Sequence, residues 1–119
     1  MMSNQQRVIV AVVLGLASLG GHASSSKKLQ TPVQGVVCDV YFCADASGVS
    51  TTLTEKYLGK KQGDKLMAQG EFDRTVFTFA NGVNCDTHAR VCRKDRYRGG
   101  DGQPTGAVDP LTTLQLFGH

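Results

Sequence analysis

Hydrophobic and polar positions along this chain change period several times, and each change marks a different element. Val8 to Leu19 is an almost unbroken apolar run, preceded by the short polar stretch Met1–Arg7 with one positive charge and followed by Gly21-His22-Ala23. That order of basic, apolar and small-residue regions predicts a secretory signal peptide over residues 1–23, cleaved after Ala23. The run is too short to span a bilayer, which takes about 20 residues. No cysteine follows the cut, so a lipid anchor is not expected. No later segment is long and apolar enough to cross a membrane, and a soluble product without a membrane span after cleavage is expected.

Residues 24–34 are rich in Ser, Lys and Gln and contain Pro32, and read as a flexible lead into a domain over 35–119. Gly35–Cys43 is dense in β-formers and reads as a strand turning back on itself, with Ala44–Gly48 as a turn. Helical spacing begins next. Thr52 and Glu55 form a capping box, with Ser50 as an alternative cap. Leu53, Tyr57 and Leu58 fall on one side, and Gly59 ends the turn. Lys60–Gln69 resumes the pattern through Leu66 and Met67, closing at Gly70. Gly63 within it costs about 1 kcal/mol relative to alanine, so two short helices are expected before one straight rod.

Thr75–Cys85 then alternates, with Asn81-Gly82 as a hairpin signal. A three-residue loop, Ala80-Asn81-Gly82, sets Phe79 opposite Val83 and Phe77 opposite Cys85. That register gives one coherent apolar face, which a two-residue loop does not. A third strand, Arg90–Lys94, follows a tight turn near His88-Ala89. The chain is then rich in Gly, Asp and Pro to Gly106. Asp109-Pro110 reads as a helix start, yet Leu114 and Leu116 alternate, so Thr112–Phe117 fits either a helix or a strand. No internal repeat is apparent. These patterns predict an α+β fold: a small single domain with a short helical segment packed on a small antiparallel sheet.

Cysteine usage adds a constraint. The cysteines are Cys38, Cys43, Cys85 and Cys92. In a small exported chain an even count reads as disulfides, which offset a limited core. The C-x4-C and C-x6-C spacings do not suit a zinc site, which favours C-x2-C. Three pairings are possible on paper. Placing Cys85 opposite Cys92 across their turn brings the two within bridging distance, so local bridges, Cys38–Cys43 and Cys85–Cys92, are expected.

Charge and candidate chemistry change the picture less. Without Arg7, 12 of the 13 basic residues face 10 acidic ones, a net charge of about +2, too mild to imply nucleic acid. His88 with a carboxylate such as Asp86 is the one hydrolase-like combination, but no nucleophile motif and no free thiol accompany it. Asp39, Asp45, Glu71 and Asp73 are carboxylates without a pattern. Asp39 and Asp86 each follow a cysteine, a setting in which the side chain caps a turn. No catalytic residue, metal site or cofactor is assigned. The concentration that remains is basic: Arg90, Arg93, Lys94, Arg96 and Arg98, with Asp95 and Tyr97 among them, a local charge of +4. Arg93, Lys94, Arg96, Tyr97 and Arg98 are the candidate binding surface, for an acidic periplasmic or secreted protein or an anionic envelope glycan such as lipopolysaccharide. Charges on an edge strand also serve simply to prevent aggregation. A non-catalytic binding protein (an inhibitor, an immunity-type partner or an envelope accessory factor) is the expected role, with a small hydrolase as the alternative.

Several stretches resemble the Fels-1 prophage protein-like (YcgJ) family: Gly35-Val-Val-Cys-Asp-x-Tyr-Phe-Cys-Ala-Asp, Leu53-Thr-Glu-Lys-Tyr-Leu-Gly, Gly70-x-Phe-Asp, Phe77-Thr-Phe-Ala-Asn-Gly-x-x-Cys-Asp and Cys92-x-x-Asp-Arg-Tyr. The similarity covers roughly residues 35–117, and the cysteines and the Asn-Gly hairpin are its most specific parts. The resemblance implies a bacterial periplasmic protein of uncharacterised role. It carries no catalytic residues onto positions of this chain.

Overall fold

The computed structural model describes residues 28–118; the signal peptide expected over 1–23 lies outside them. Strands β1 (Gln30–Val33), β2 (Val36–Cys38), β3 (Cys43–Asp45) and β4 (Gly48–Ser50) form one antiparallel sheet in chain order. Helices α1 (Thr51–Leu58) and α2 (Lys60–Met67) follow. A second antiparallel sheet, β5 (Val76–Thr78), β6 (Asn84–Asp86) and β7 (Val91–Arg93), leads to α3 (Pro110–Phe117). The class is α+β, with two small sheets where the sequence pattern suggested one. Within the stretch read as a flexible lead-in, Gln30–Val33 is paired with β2 as an exposed edge strand.

Local signals explain most elements. Ser50, not Thr52, caps α1: it is still extended, pairs with Cys43, and its Oγ accepts from the Leu53 N–H at 3.0 Å. The helix break falls at Gly59, whose φ of 102° only glycine adopts readily. Gly63 sits inside α2 for packing, since a Cβ there would lie 3.1 Å from Glu55 Cβ. Residues 112–117 are helical. Leu116 is 2% exposed and Leu114 53%, the opposite faces of a helix and not the shared face of a strand.

The β5–β6 hairpin takes the three-residue-loop register. Phe77 pairs with Cys85, the Phe79 N–H donates to Val83 O at 2.8 Å, and Gly82 has φ 93°. Both disulfides are local, Cys38–Cys43 and Cys85–Cys92, each between residues directly opposite in adjacent strands.

The expectation of no internal repeat is overturned. Gly35-Val36-Val37-Cys38-Asp39 and Gly82-Val83-Asn84-Cys85-Asp86 occupy the same place in two successive units of one plan. In each, a glycine with positive φ precedes a strand that carries the cysteine, and an aspartate follows that cysteine directly. The aspartate Oδ1 then accepts the N–H groups two and three residues on: Tyr41 (2.7 Å) and Phe42 (2.9 Å) for Asp39, His88 (2.8 Å) and Ala89 (3.2 Å) for Asp86. The second cysteine follows. Its N–H donates to a buried threonine hydroxyl on the next helix, Thr54 for Cys43 and Thr113 for Cys92, both at 2.9 Å. Each threonine hydroxyl in turn bonds the carbonyl four residues back, on the helix N-cap, Ser50 or Asp109. Even the β3–β4 pairing has its counterpart. Arg93 bridges Val108, and the Asp109 N–H donates to Cys92 O at 2.8 Å, as Ala44 pairs with Val49 and Cys43 with Ser50. Glycines end both helices, Gly59 and Gly118.

The units lock together through one core. Phe42 from the first Asp-capped turn stacks on Phe79 (5.2 Å, 12°) and meets Phe77 edge-on (5.9 Å, 88°). Beside these rings the buried Asp39 turns its Oδ2 to the Ala80 N–H of the second unit at 2.7 Å. Val37, Ala44 and Val49 of the first sheet join Val83, Leu116 and Phe117 of the second unit in the same apolar cluster. On the other side of the first sheet, Leu53, Tyr57 and Leu58 of α1 cover Val36 and the Cys38–Cys43 bridge.

Candidate functional site

Strand alternation positions the site. Cys85 and Cys92 face the core and α3, so Asn84, Asp86, Val91 and Arg93 on the same strands face outward. The equivalent face of the first sheet is packed; this one is not. A further difference lies beside it. The first unit joins its third and fourth strand positions through Ala46 and Ser47 alone, whereas the second inserts residues 95–106 there. The insert is a small hairpin. Arg98 bridges Pro104, the Thr105 N–H donates to Tyr97 O (3.0 Å), and the Gly99 N–H donates to Gln103 O (2.9 Å). Asp95 Oδ1 opens it by accepting the Tyr97 N–H at 3.0 Å, and Asp101 Oδ1 holds its tip by accepting the Gln103 N–H at 3.0 Å. This Gly-rich segment is therefore hydrogen-bonded along its length.

The five residues expected to bind are brought to one neighbourhood, with different degrees of freedom. Arg93 donates from a guanidinium nitrogen to Gly106 O at 2.9 Å and anchors the end of the insert. Lys94 pairs with Asp109 Oδ1 at 3.3 Å and braces the start of α3. Asp109 is partly desolvated, which alone would raise its pKa; the Thr112 hydroxyl, Lys94 and the Thr112 N–H outweigh that and hold it below the usual range. Arg98 donates to Gly102 O at 2.9 Å within the insert. Arg96 makes no hydrogen bond or ion pair among the described residues; its guanidinium lies over the exposed Tyr97 ring, 5.7 Å from the centroid.

Two clefts flank Arg96. One, of about 60 Å³, lies between the outer face of β6–β7 and the insert, bordered by Asn84, Asp86, Arg93, Asp95, Arg96 and Arg98. The other, about 310 Å³, is lined by Thr78, Gly82, Lys94, Asp95, Arg96 and Tyr97. Charge counting finds the arginines but misses Asn84, Thr78 and Gly82. Strand alternation and the hairpin register carry the signal for them.

His88 stands apart from these clefts, exposed on the β6–β7 turn. Asp86 holds the backbone of that turn and not the imidazole. The ring Nε2 lies 3.2 Å from Thr75 Oγ1, whose hydroxyl donates to Asp73 Oδ1 at 2.5 Å. A hydroxyl has one proton, so Thr75 accepts from His88 while donating to Asp73. The Thr75 hydroxyl, then its N–H, hold the Asp73 carboxyl below the usual range, with a smaller contribution from His88. Among the described residues no three His, Cys, Asp or Glu side chains converge to hold a metal ion, and no helix is long and apolar enough to cross a membrane.

Fold and site together define a small, disulfide-closed domain of two unequal copies of one plan, with a polar insert on the open sheet face. The chain belongs to the YcgJ protein family, whose model matches residues 29–117. It is similar to a protein of Escherichia coli strain K12 described as uncharacterized protein YcgJ, with 44% identity over 110 residues, covering 87% of this chain and 90% of that one. No solved structure matches it. The two disulfides fit an exported protein.

Proposed function

We propose that this is a non-catalytic binding protein of the bacterial envelope, periplasmic or secreted, whose contact region is the hairpin 95–106 with Arg96, Tyr97 and Arg98. The observation that carries this reading is the inequality of the two units. Where the first unit buries its sheet face and turns in two residues, the second leaves that face polar and mounts a hairpin on it. Packing does not require an insert there, and Arg96 and Tyr97 gain nothing for the fold by being exposed. Arginine and tyrosine are favoured interface anchors because both join broad apolar contact to directed hydrogen bonds. Arg93 and Lys94 support the surface from beneath.

The hydrolase alternative finds less support. Where His88 meets a hydroxyl among the described residues, that hydroxyl, Thr75 Oγ1, gives its proton to Asp73 Oδ1, whereas a general base would have to take it. The test of the binding reading is charge reversal. Arg96→Glu with Arg98→Glu is expected to leave the melting temperature nearly unchanged while weakening capture of a partner from periplasmic extract. The loss should shrink as salt rises, since exposed charges are screened over about 8 Å at physiological ionic strength. Unchanged capture at low salt would leave the cluster as a solvated edge.

A further inference from the structure

We infer that the cleft beside Arg96 and Tyr97 is a subsite for one acidic sugar residue, so that the partner of this surface is an anionic glycan; the inference rests on the binding reading above. The lining is what selects this ligand. Of its six residues, only Tyr97 offers a broad apolar surface, and none offers an aliphatic pocket of the kind that takes a peptide side chain. Donors and acceptors are mixed instead. Lys94 and Arg96 supply charged N–H groups, Thr78 a hydroxyl that is already one acceptor for Asn84, and Asp95 a carboxylate. Asp95 uses Oδ1 on the Tyr97 N–H, and its Oδ2 makes no hydrogen bond among the described residues.

A ring of hydroxyls with one carboxylate matches that set. The sugar carboxylate meets the planar guanidinium of Arg96, which lies over the Tyr97 ring but makes no hydrogen bond or ion pair among the described residues, and whose fork of N–H groups suits such an oxyanion. A ring hydroxyl donates to Asp95 Oδ2, another accepts from Lys94, and the apolar face of the sugar lies against Tyr97. Gly82 helps by leaving the hairpin loop without a side chain at the cleft wall, its φ of 93° being one that glycine holds freely. Asp95 also argues against a bare phosphate or sulfate. A carboxylate in the wall repels a compact, multiply charged anion that brings no hydroxyl proton to satisfy it. At about 310 Å³ the cleft is near the lower end of small-ligand sites, room for one ring and not for an oligosaccharide.

The experiment follows backbone amide shifts of the oxidised protein on titration with glucuronic acid, glucose and inorganic phosphate. Glucuronate is expected to saturate shifts at Thr78, Gly82 and Tyr97 with a dissociation constant on the order of 1–10 mM. Glucose should bind at least about fivefold more weakly at the same residues, and phosphate should not shift them. Arg96→Gln is expected to cut glucuronate binding about tenfold, to the level of glucose, while leaving glucose unchanged. Absence of saturable shifts with glucuronate up to about 50 mM overturns the assignment, as does a phosphate response equal to that of glucuronate. Loss of glucuronate binding together with a partner still captured through Arg96 and Arg98 would remove the sugar and leave a protein partner. A surface insensitive to charge reversal as well would remove both readings.

Discussion

Strands β2–β4 of the first sheet are buried on both faces and the second sheet on one, although both are built to the same plan. Val37 and Ala44 in the first unit correspond to Asn84 and Arg93 in the second. Val37 and Ala44 lie in the core against Leu116, Phe117 and the phenylalanine rings; Asn84 and Arg93 face outward beneath the inserted hairpin. The Cys-Asp turns diverge in the same sense. Asp39 is buried and spends its other oxygen on Ala80 across the unit boundary, while Asp86 is half-buried and leaves Oδ2 without a bond among the described residues. What the two units share, namely the bridge, the capped turn and the threonine under the second cysteine, is what the local backbone needs. What differs follows from whether another part of the chain packs there. The surface released from core packing in this way carries the inserted hairpin, on which Arg96 and Tyr97 are exposed.

The comparison is broken most severely at Gly48. Its φ is 124°, and a Cβ would run into the carbonyl oxygen of Arg74, the acceptor for the Val49 N–H. Gly48→Ala is expected to cost about 3 kcal/mol or more, from strain and backbone collision together. Ala107, at the matching place in the second unit, shows that the plan itself tolerates a side chain. Ala107→Gly should therefore change denaturation midpoints little, and equal effects at the two positions would deny the equivalence.

Next in size are the turn aspartates. Asp39→Ala strands three N–H groups, those of Tyr41, Phe42 and Ala80, and separates the units; about 3 kcal/mol is expected. Asp86→Ala strands two on an exposed turn and should cost about 1 kcal/mol. Urea unfolding of the two variants side by side measures the difference. Similar losses would mean that the bond from Asp39 to Ala80 adds nothing.

The smallest effect separates the helix caps. Asp109 titrates and Ser50 does not. The folded pKa of Asp109 is depressed, so its contribution is present above the unfolded value, about 3.9, and is lost as pH falls through the folded value below that. Acid should therefore loosen α3 before α1. In hydrogen exchange corrected for intrinsic rates, protection of the Cys92 amide, held by Thr113, is expected to drop below about pH 4 while that of Cys43, held by Thr54, persists. A parallel decline would show that the cap charge does not matter.

The parts of the molecule legible in its sequence are those fixed by near neighbours. The hairpin register followed from where Phe77, Phe79, Val83 and Cys85 must point, and the bridges followed from that register. The helix break at Gly59 was equally local. Thr52 misled because its spacing to Glu55 is a genuine capping pattern, while Ser50 won by being the last residue held extended against Cys43. The repeat was hidden by unequal connections. Gly-Val-x-Cys-Asp occurs twice, but the turn after it differs in length, and residues 95–106 separate the second bridge from its helix. At the site, composition identified Arg93, Lys94, Arg96, Tyr97 and Arg98 as a group. It did not show which of them the fold consumes, because Gly106 and Asp109 reach Arg93 and Lys94 only once α3 returns to β7.

The locality of the two bridges also bears on how the reduced chain finds its native thiol pairing. The native loops close over sequence separations of 5 and 7. Every rival pairing must join a cysteine of the first unit to one of the second, with Cys43 to Cys85 the shortest such span. Loop-closure entropy disfavours that span by roughly 1.5 kcal/mol, about an order of magnitude in population, before any native contact forms. Each hairpin that aligns its own strands also aligns its own sulfurs. Oxidation thus follows local folding within each unit, and the reduced chain has little need of reshuffling to reach its final covalent form.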